Sequence, residues 1–172
     1  MDSRKLGFAI AALVFIADQL TKWLVTGPLG IRAVGDQMKL LPIFNLTYTE
    51  NYGISLGLFQ AASATGQWVL IAVTGAIAAG VAYWIGREPR RFDQAALGMV
   101  LGGALGNILD RARFGHVVDF ADLHFGEFRP FLIFNVADAA ISIAVVIMLL
   151  RAFLPSKDRE QGREPRETID HA

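Results

Sequence analysis

The sequence predicts a mainly α integral membrane protein with four transmembrane helices and a small extracytoplasmic β lobe. Hydrophobic residues make up 53% of the 172 residues. They gather into four blocks, and a helix needs about 20 apolar residues to cross a bilayer. Lysine and arginine, which accumulate on the cytoplasmic side of spans, precede the first block, fill the link between the second and third, and follow the fourth. We therefore predict that both termini are cytoplasmic.

The first block extends from about Leu6 to Val25. A cleavable signal peptide is disfavoured, because Asp18 and Lys22 interrupt the region where such a segment becomes small and neutral. These two residues are four positions apart, so they share one helix face, where opposite charges can pair. We predict a structural ion pair here in preference to a direct catalytic role.

The connection at about residues 26–67 is predicted to form the extracytoplasmic lobe. Residues 44–49 alternate apolar and polar side chains, which is the period of a half-buried strand. The sequence Asn51-Tyr52-Gly53 indicates a turn, and Leu56, Leu58 and Phe59 offer an apolar edge that can lie in the membrane interface. We expect a small sheet that rests on the membrane surface.

The second and third blocks, at about residues 68–85 and 95–109, contain small residues at helical spacing. In lipid, small residues let neighbouring helices approach closely, so they predict packing faces. On the third block these residues are Gly98, Gly102, Gly103 and Gly106, and on the second they are Gly75, Ala79 and Gly80.

Polar residues extend the glycine face of the third block toward its outer end. Gly103, Asn107 and either Asp110 or Arg111 are three to four positions apart and form one stripe. The stripe can approach a peptide, since Asn107 both donates and accepts hydrogen bonds and Arg111 offers a planar fork of donors. It can equally be a packing seam that ends in an interfacial pair between Asp110 and Arg111.

The fourth block, at about residues 131–154, contains the strongest indication of chemistry. Asp138 lies near its beginning, three positions after Asn135, and Asp119 lies in the preceding connection. An acidic residue at a membrane boundary is costly to desolvate and is by default a functional-site hypothesis. If the segment that carries Asp119 folds back over this helix, the two carboxylates can meet and share one proton. Such a pair can hydrolyse a peptide without a covalent intermediate, because one acid accepts a proton from water and the other donates one to the departing nitrogen.

Other chemistries fit the sequence less well. The chain has no cysteine, which excludes disulfides, thiolate metal sites and thiol nucleophiles. No motif joins a serine to a histidine in the manner of a serine hydrolase, and no compact zinc signature is present. The residues considered for these two sites are Ser55, Ser142, His116, Asp119, Asp122 and His124. We predict neither a metal nor a cofactor, and no nucleic-acid partner.

Two non-peptidase functions remain as alternatives. In a proton-coupled transporter, Asp18, Asp119 and Asp138 would relay protons across the membrane. The predicted placement disfavours a relay, because Asp119 and Asp138 cluster at one face. A membrane scaffold that assembles through its glycine faces leaves both of these aspartates unexplained.

Five motifs, in order along the chain, closely resemble the lipoprotein signal peptidase family, also called type II signal peptidase. They extend from the first helix to the fourth. The motifs are Asp18-Gln19-x-x-Lys22, Asn51-x-Gly53, Gly102-Gly103-Ala104-x-Gly106-Asn107-x-x-Asp110-Arg111, Val117-Val118-Asp119-Phe120 and Phe134-Asn135-x-Ala137-Asp138.

The resemblance implies an aspartyl endopeptidase of the bacterial inner membrane. Such an enzyme removes the signal peptide from prolipoproteins after a diacylglyceryl group has been attached to the lipobox cysteine, and it cleaves just before that cysteine. Asp119 and Asp138 are then the catalytic pair. The implied substrate-binding residues are Asn51, Gly53, Asn107, Arg111 and Asn135, and the implied supporting residues are Asp18, Lys22, Gly103, Asp110 and Ala137. The implied partners are lipid-modified prolipoproteins, membrane lipid and globomycin-type cyclic peptide inhibitors.

The sequence departs from the family pattern at two places. Leu132 stands where a proline is common, and Pro130 lies two positions earlier. Residues Ile54-Ser55-Leu56 replace the usual small residue and phenylalanine after Asn51-x-Gly53. We expect one peptidase domain at residues 1–154 and a disordered cytoplasmic tail at residues 155–172 that is dispensable for catalysis.

Overall fold

The computed structural model describes residues 3–54, 59–60 and 64–153 of the chain. The predicted apolar edge at Leu56 and Leu58 and the predicted disordered tail at residues 155–172 lie outside this part. The elements of the described part follow in the order α1 Ser3–Thr26, β1 Gln37–Leu41, β2 Phe44–Asn51, β3 Gly53–Ile54, β4 Phe59–Gln60, α2 Ala64–Arg87, α3 Arg91–Phe114, β5 Val117–Leu123 and α4 Val136–Phe153.

All four helices are long and apolar enough to cross a membrane. The candidate spans contain 22, 23, 24 and 18 residues in chain order. Many of their large exposed side chains are apolar, as expected for a surface covered by lipid; examples are Leu13, Ile16, Val73, Ile77 and Leu150. The predicted fold of four transmembrane helices with a small sheet is confirmed.

The third helix is longer than the sequence predicted, because its polar ends are paired. Asp93 near its beginning forms an ion pair with Arg151 of α4 at 3.2 Å. The helix ends at Gly115, which has φ 77° and donates its backbone N–H to the carbonyl of Arg111 at 3.0 Å. A glycine in this left-handed conformation is a common helix terminator.

The fourth helix begins later than the sequence predicted. Residues 131–135 are apolar enough to look like part of a span, but Phe134 adopts an extended conformation beside β5. Its backbone exchanges hydrogen bonds with Ala121 at 2.7 and 3.1 Å. The helix therefore begins at Val136, and the connection before it becomes part of the lobe that contains the sheet.

The glycine face of α3 packs against two helices, as predicted. Gly98 and Gly102 contact the backbone carbonyls of Gly7 and Ala11 in α1. A Cβ atom at Gly103 would lie 2.6 Å from the carbonyl oxygen of Ala137 in α4. Since this distance is below any ordinary Cβ contact, glycine is required for the helices to approach this closely.

The corresponding prediction for α2 is wrong. A Cβ atom at Gly75 or Gly80 would meet no atom within 4 Å, and Ala79 is exposed. Instead, α2 packs into the bundle through Ala78 and Ile85, which are buried beside Leu97 and Leu101 of α3.

A three-stranded antiparallel sheet with strand order β1-β2-β5 covers the end of the bundle where α1 and α3 end. The predicted strand at residues 44–49 is confirmed as part of β2, whereas β5 was expected to be a loop. In the register of β2 and β5, Thr49 lies opposite Asp119 and Asn51 lies opposite Val117.

A hydrophobic cluster attaches the sheet to α1. Val25 and Ile31, from the end of α1 and the segment after it, pack with Leu46 and Tyr48 of β2 and with Phe120 of β5. This packing fixes the height of β5 above the helices, and therefore the position of Asp119.

Candidate active site

The two predicted catalytic acids come from different elements and meet where the sheet contacts α4. Asp119 lies within β5 and is 2% exposed. Asp138 is in the first turn of α4, and its side chain is partly exposed. The strand β5 thus brings Asp119 close to the start of the fourth helix, which is the condition that the sequence set for the two acids to act together.

Asn135 lies directly before the first residue of α4, and it orients Asp138 through a pair of reciprocal hydrogen bonds. The side-chain oxygen of Asn135 accepts the backbone N–H of Asp138 at 2.9 Å. In return, a carboxylate oxygen of Asp138 accepts the backbone N–H of Asn135 at 3.4 Å. This is the geometry of a capping box, in which two free N–H groups of a helix N-terminus are satisfied together.

Two asparagines connect the acids through hydrogen bonds. Asn135 donates its side-chain amide to Asp119 Oδ1 at 2.6 Å and to Asn107 Oδ1 at 3.2 Å. Asn107 in turn donates to Asp138 Oδ1 at 2.9 Å. Among the described residues, neither Asp119 nor Asp138 forms an ion pair with a lysine or arginine. Neutral amides therefore hold both acids in place.

Asn51 and Arg111 close the other side of the site. Asn51 donates its amide to Asp119 Oδ2 at 3.0 Å and accepts the backbone N–H of Gly53 at 3.1 Å. Arg111 donates to the carbonyl of Gly53 at 3.1 Å. The buried Nε of Arg111 has no acceptor within the described part of the chain, so it remains available as a donor. The alternative pair between Asp110 and Arg111 does not form.

A buried ion-pair network lies directly beneath the acids. Lys22 Nζ lies 2.8 Å from Asp18 Oδ2 and 2.6 Å from Asp110 Oδ2. The predicted pair between Asp18 and Lys22 is confirmed, and Asp110 joins it. Gln19 also donates to both carboxylates, at 3.1 and 3.0 Å.

Each acid of this network binds the backbone next to one catalytic candidate. Asp18 Oδ1 accepts the N–H of Ala137, the residue before Asp138, at 3.0 Å. Asp110 Oδ2 accepts the N–H of Val118, the residue before Asp119, at 3.2 Å. Sequence reasoning did not find these two contacts or the capping box. The positions of Ala137 and Val118 in the motifs were the only available signal.

Burial and charge change the acidity of Asp119. Burial raises the pKa of the Asp119 carboxyl from its ordinary 3.8 to about 7, and the nearby negative charge of Asp138 contributes to the increase. Hydrogen bonds from Asn51 and Asn135 to the carboxylate limit the increase. The site therefore contains an acid that can carry a proton near neutral pH.

A groove of about 710 Å³ opens beside Asp138. One wall is the segment from Pro130 to Phe134, and the other is the first two turns of α4, including Ser142. Phe131 and Leu132 are 61% and 68% exposed on the first wall. The groove is thus mainly apolar and has a carboxyl group on its lining.

Of the residues considered for a metal site, His116 and Asp122 have other partners, whereas the buried Nε2 of His124 has none among the described residues. His116 Nε2 lies 3.3 Å from the hydroxyl of Tyr48, and Asp122 pairs with Arg129 at 3.0 Å. Within the described residues, no group of three or more histidine, aspartate or glutamate side chains is arranged to hold a metal ion. Ser55, the other serine considered, lies outside the described part.

A family model described as signal peptidase (SPase) II matches residues 10–154. The chain belongs to this family. A lipoprotein signal peptidase of Sphingopyxis alaskensis is 55% identical over 166 residues, which cover 96% of this chain and 95% of the relative. A lipoprotein signal peptidase of Rhizorhabdus wittichii is 48% identical over 167 residues, which cover 97% of this chain and 94% of the relative. The family resemblance is confirmed, and the protein is a membrane-spanning peptidase.

Two solved structures of bacterial membrane enzymes share the fold of this peptidase. One has a TM-score of 0.72 at 26% identity and covers 94% of this chain and 93% of its own. The other has a TM-score of 0.71 at 28% identity, with coverage of 87% and 94%. The arrangement of four helices and a small sheet is therefore shared with experimentally determined membrane enzymes.

Proposed function

We propose that this peptidase is an aspartyl endopeptidase that removes signal peptides from diacylglyceryl-modified bacterial prolipoproteins. Cleavage occurs just before the lipidated cysteine, and Asp119 and Asp138 activate the attacking water. The observation that carries the proposal is the bridge between these two acids, in which Asn107 and Asn135 link the carboxyl groups and neither acid forms an ion pair within the described residues.

The two acids have different roles in the proposed reaction. Asp119, whose pKa is raised to about 7, holds the proton at the start. Asp138 accepts a proton from water as the water oxygen forms a bond to the scissile carbonyl carbon. Asp119 then donates its proton to the amide nitrogen as the carbon–nitrogen bond breaks. The products are a signal peptide with a free carboxylate and a lipidated cysteine with a free amine.

The groove beside Asp138 suits an extended, lipid-modified peptide. Its apolar walls can contact both side chains of the signal peptide and acyl chains that remain in the bilayer. Arg111, with its unpaired Nε, and the turn at Asn51 and Gly53 supply hydrogen-bonding groups for the peptide backbone. A cyclic peptide inhibitor of the globomycin type would occupy the same groove and displace the attacking water.

We also propose that the protein lies in the bacterial inner membrane with both termini in the cytoplasm. Basic residues cluster at the end of the bundle opposite the sheet, in the link at residues 87–91 and in the tail after α4. The sheet and the acids would then face the extracytoplasmic side, where prolipoprotein signal peptides emerge.

The decisive experiment compares cleavage by the wild type and by Asp138→Asn. Purified protein in detergent is mixed with a diacylglyceryl-modified prolipoprotein or with its unmodified form, and cleavage is followed by gel shift. We expect the wild type to cleave only the modified form and the variant to lose about 10³-fold or more of this activity. Asp119→Asn should have an equal effect.

The matched control is Asp93→Asn. Asp93 is the third residue of α3, as Asp138 is of α4, but it pairs with Arg151 at the other end of the bundle. This variant should cleave at the wild-type rate. Cleavage that survives both Asp119→Asn and Asp138→Asn would refute the aspartyl mechanism.

A further inference from the structure

A second cavity, of about 250 Å³, lies between the ends of α1 and α3 and the sheet. Its inner wall contains Gln19, Lys22 and Asp110, which already bind one another. Its outer wall contains Arg32 and Arg113. None of the residues proposed to bind the peptide lines this cavity, so it is a site separate from the groove beside Asp138.

The two arginines are an unusual feature of this cavity, because no carboxylate among the described residues binds their guanidinium groups, although the charge of Arg32 acts on the neighbouring Asp36. Both are exposed, and within the described part of the chain neither guanidinium group forms an ion pair. Asp36 is the nearby acid, but its carboxylate accepts the backbone N–H groups of Arg32 and Ala33 at 3.0 and 2.8 Å. Because Lys22 is already shared by Asp18 and Asp110, the positive charge available to a ligand in this cavity comes from the two guanidinium groups.

The cavity lies at the ends of two candidate membrane spans, where we expect the phosphate groups of a bilayer. Thr26 and Phe114, which line it, are the last residues of the spans α1 and α3. Trp23, also in the lining, is 59% exposed, and exposed tryptophans are typical of the membrane–water interface. Below Trp23, the apolar side chains of Ile16 and Leu20 follow on α1, 59% and 50% exposed, where an acyl chain can lie.

These observations indicate the chemistry of the ligand. Guanidinium groups form paired hydrogen bonds with phosphate oxygens, which favours a phosphate anion between Arg32 and Arg113. The volume is below the range of about 300–1,000 Å³ typical of drug-sized ligands, so it suits a small headgroup better than a peptide. We propose that this cavity binds the headgroup of an anionic glycerophospholipid, whose acyl chain follows α1.

Occupancy of this cavity would affect the part of the protein that supports the active site. The inner wall is formed by the same Lys22 and Asp110 that hold the backbone before Asp119. A bound headgroup adds negative charge beside Lys22 and ties α1, α3 and the sheet together. It should therefore stabilise the folded protein without contacting the substrate.

The test is thermal unfolding of purified protein in micelles with dioctanoyl phosphatidylglycerol, dioctanoyl phosphatidylcholine or inorganic phosphate. A ligand at about 100 times its Kd should raise the Tm by about 5 °C or more. We expect this increase with phosphatidylglycerol only. An equal increase with phosphatidylcholine, or with inorganic phosphate alone, would contradict an anionic lipid site.

Substitution assigns the effect to this cavity. The double variant Arg32→Gln/Arg113→Gln should keep its lipid-free Tm and its cleavage activity but lose the increase with phosphatidylglycerol. The matched control is Arg87→Gln/Arg91→Gln, which also removes two exposed guanidinium groups. The control matches the tested pair closely, because one guanidinium group in each pair lies 5.0 Å from an aromatic ring: Arg87 from Tyr83, and Arg113 from Phe114. The proposal is overturned if both double variants respond to the lipid alike.

Discussion

Two pairs of aspartates lie one above the other in this peptidase, and their surroundings are opposite. The lower pair, Asp18 and Asp110, shares the ammonium group of Lys22 at 2.8 and 2.6 Å. The carboxylates of the upper pair, Asp119 and Asp138, have only asparagine side-chain amides and the backbone N–H of Asn135 as direct partners among the described residues. Identical side chains therefore experience very different electrostatic environments within one site.

The difference explains how the same residue type can serve structure in one place and chemistry in the other. A carboxylate that shares a cation and accepts several hydrogen bonds, as Asp18 and Asp110 do, can hold in place the backbone that it contacts. A carboxylate that is buried near another negative charge binds a proton more readily, as the raised pKa of Asp119 illustrates. Lys22 binds the two lower carboxylates, and these hold the backbone before Asp119 and Asp138. Under the proposed mechanism, the upper pair, which forms no ion pair among the described residues, exchanges a proton.

The comparison is tested most severely by removing the cation. Lys22 is 4% exposed, so Lys22→Met leaves Asp18 and Asp110 buried without compensation. We expect the free energy of unfolding to fall by about 3–5 kcal/mol, because breaking a buried pair strands a charge in a poorly solvated place. The measurement is reversible unfolding in micelles.

A second substitution separates charge from packing in this experiment. Lys22→Met/Asp110→Asn should recover part of the lost stability, because only one uncompensated carboxylate remains. By contrast, Asp138→Asn should unfold like the wild type while it fails to cleave. A Lys22→Met protein as stable as the wild type would show that the lower pair is not the structural support described above.

The close contact between α3 and Asp18 of the lower pair is tested by a substitution that adds one methyl group to α3. A Cβ atom at Gly106 would lie 2.5 Å from Asp18 Oδ2, so Gly106→Ala must displace a carboxylate that is 0% exposed. We expect a loss of about 1–3 kcal/mol of unfolding free energy. Gly80→Ala is the matched control, since its Cβ would meet nothing within 4 Å, and it should unfold at or slightly above the wild-type temperature.

The smallest expected effect concerns the upper pair and is a change in the pH dependence of the cleavage rate. If Asp119 is the acid, the cleavage rate should fall as pH rises through about 7, because the proton that the leaving nitrogen needs is lost. Asn51 donates to Asp119 and favours its charged form, so Asn51→Ala should move this decline to higher pH. Asn45→Ala is the control on the same strand, and it should leave the midpoint unchanged. A decline that stays in place in Asn51→Ala would assign the proton to another group.

The sequence was sufficient for the parts of the molecule that follow from periodicity and charge. The four spans, the strand in β2 and the pair between Asp18 and Lys22 depend on local spacing. The strand β5 was missed because most of its side chains are buried on both faces, which removes the alternation that identifies a half-buried strand. The start of α4 was missed because residues 131–134 are as apolar as a span but pair with β5 instead.

The site shows the same division. The sequence predicted that Asp119 and Asp138 meet if the segment that carries Asp119 folds back over the fourth helix. The polar stripe on the third block indicated Arg111, and the resemblance to a family supplied Asn51. The contacts of Asp18 with Ala137 and of Asp110 with Val118 were not foreseen, since a bond between a side chain and a distant backbone N–H leaves no spacing rule in the sequence. The wrong prediction for α2 has a related cause, because glycines at helical spacing do not reveal whether a partner helix faces them.

The bond between Asp18 and the backbone of Ala137 joins residues 119 positions apart and connects the first helix to the last. Because α1 is synthesised before α4, Asp18 has no Ala137 N–H to bind until the last helix has been made. A chain that has inserted only three helices contains Asp119 but has neither Asp138 nor the capping turn that orients it. Under the proposed mechanism, the catalytic pair is therefore complete only once the final helix has been inserted.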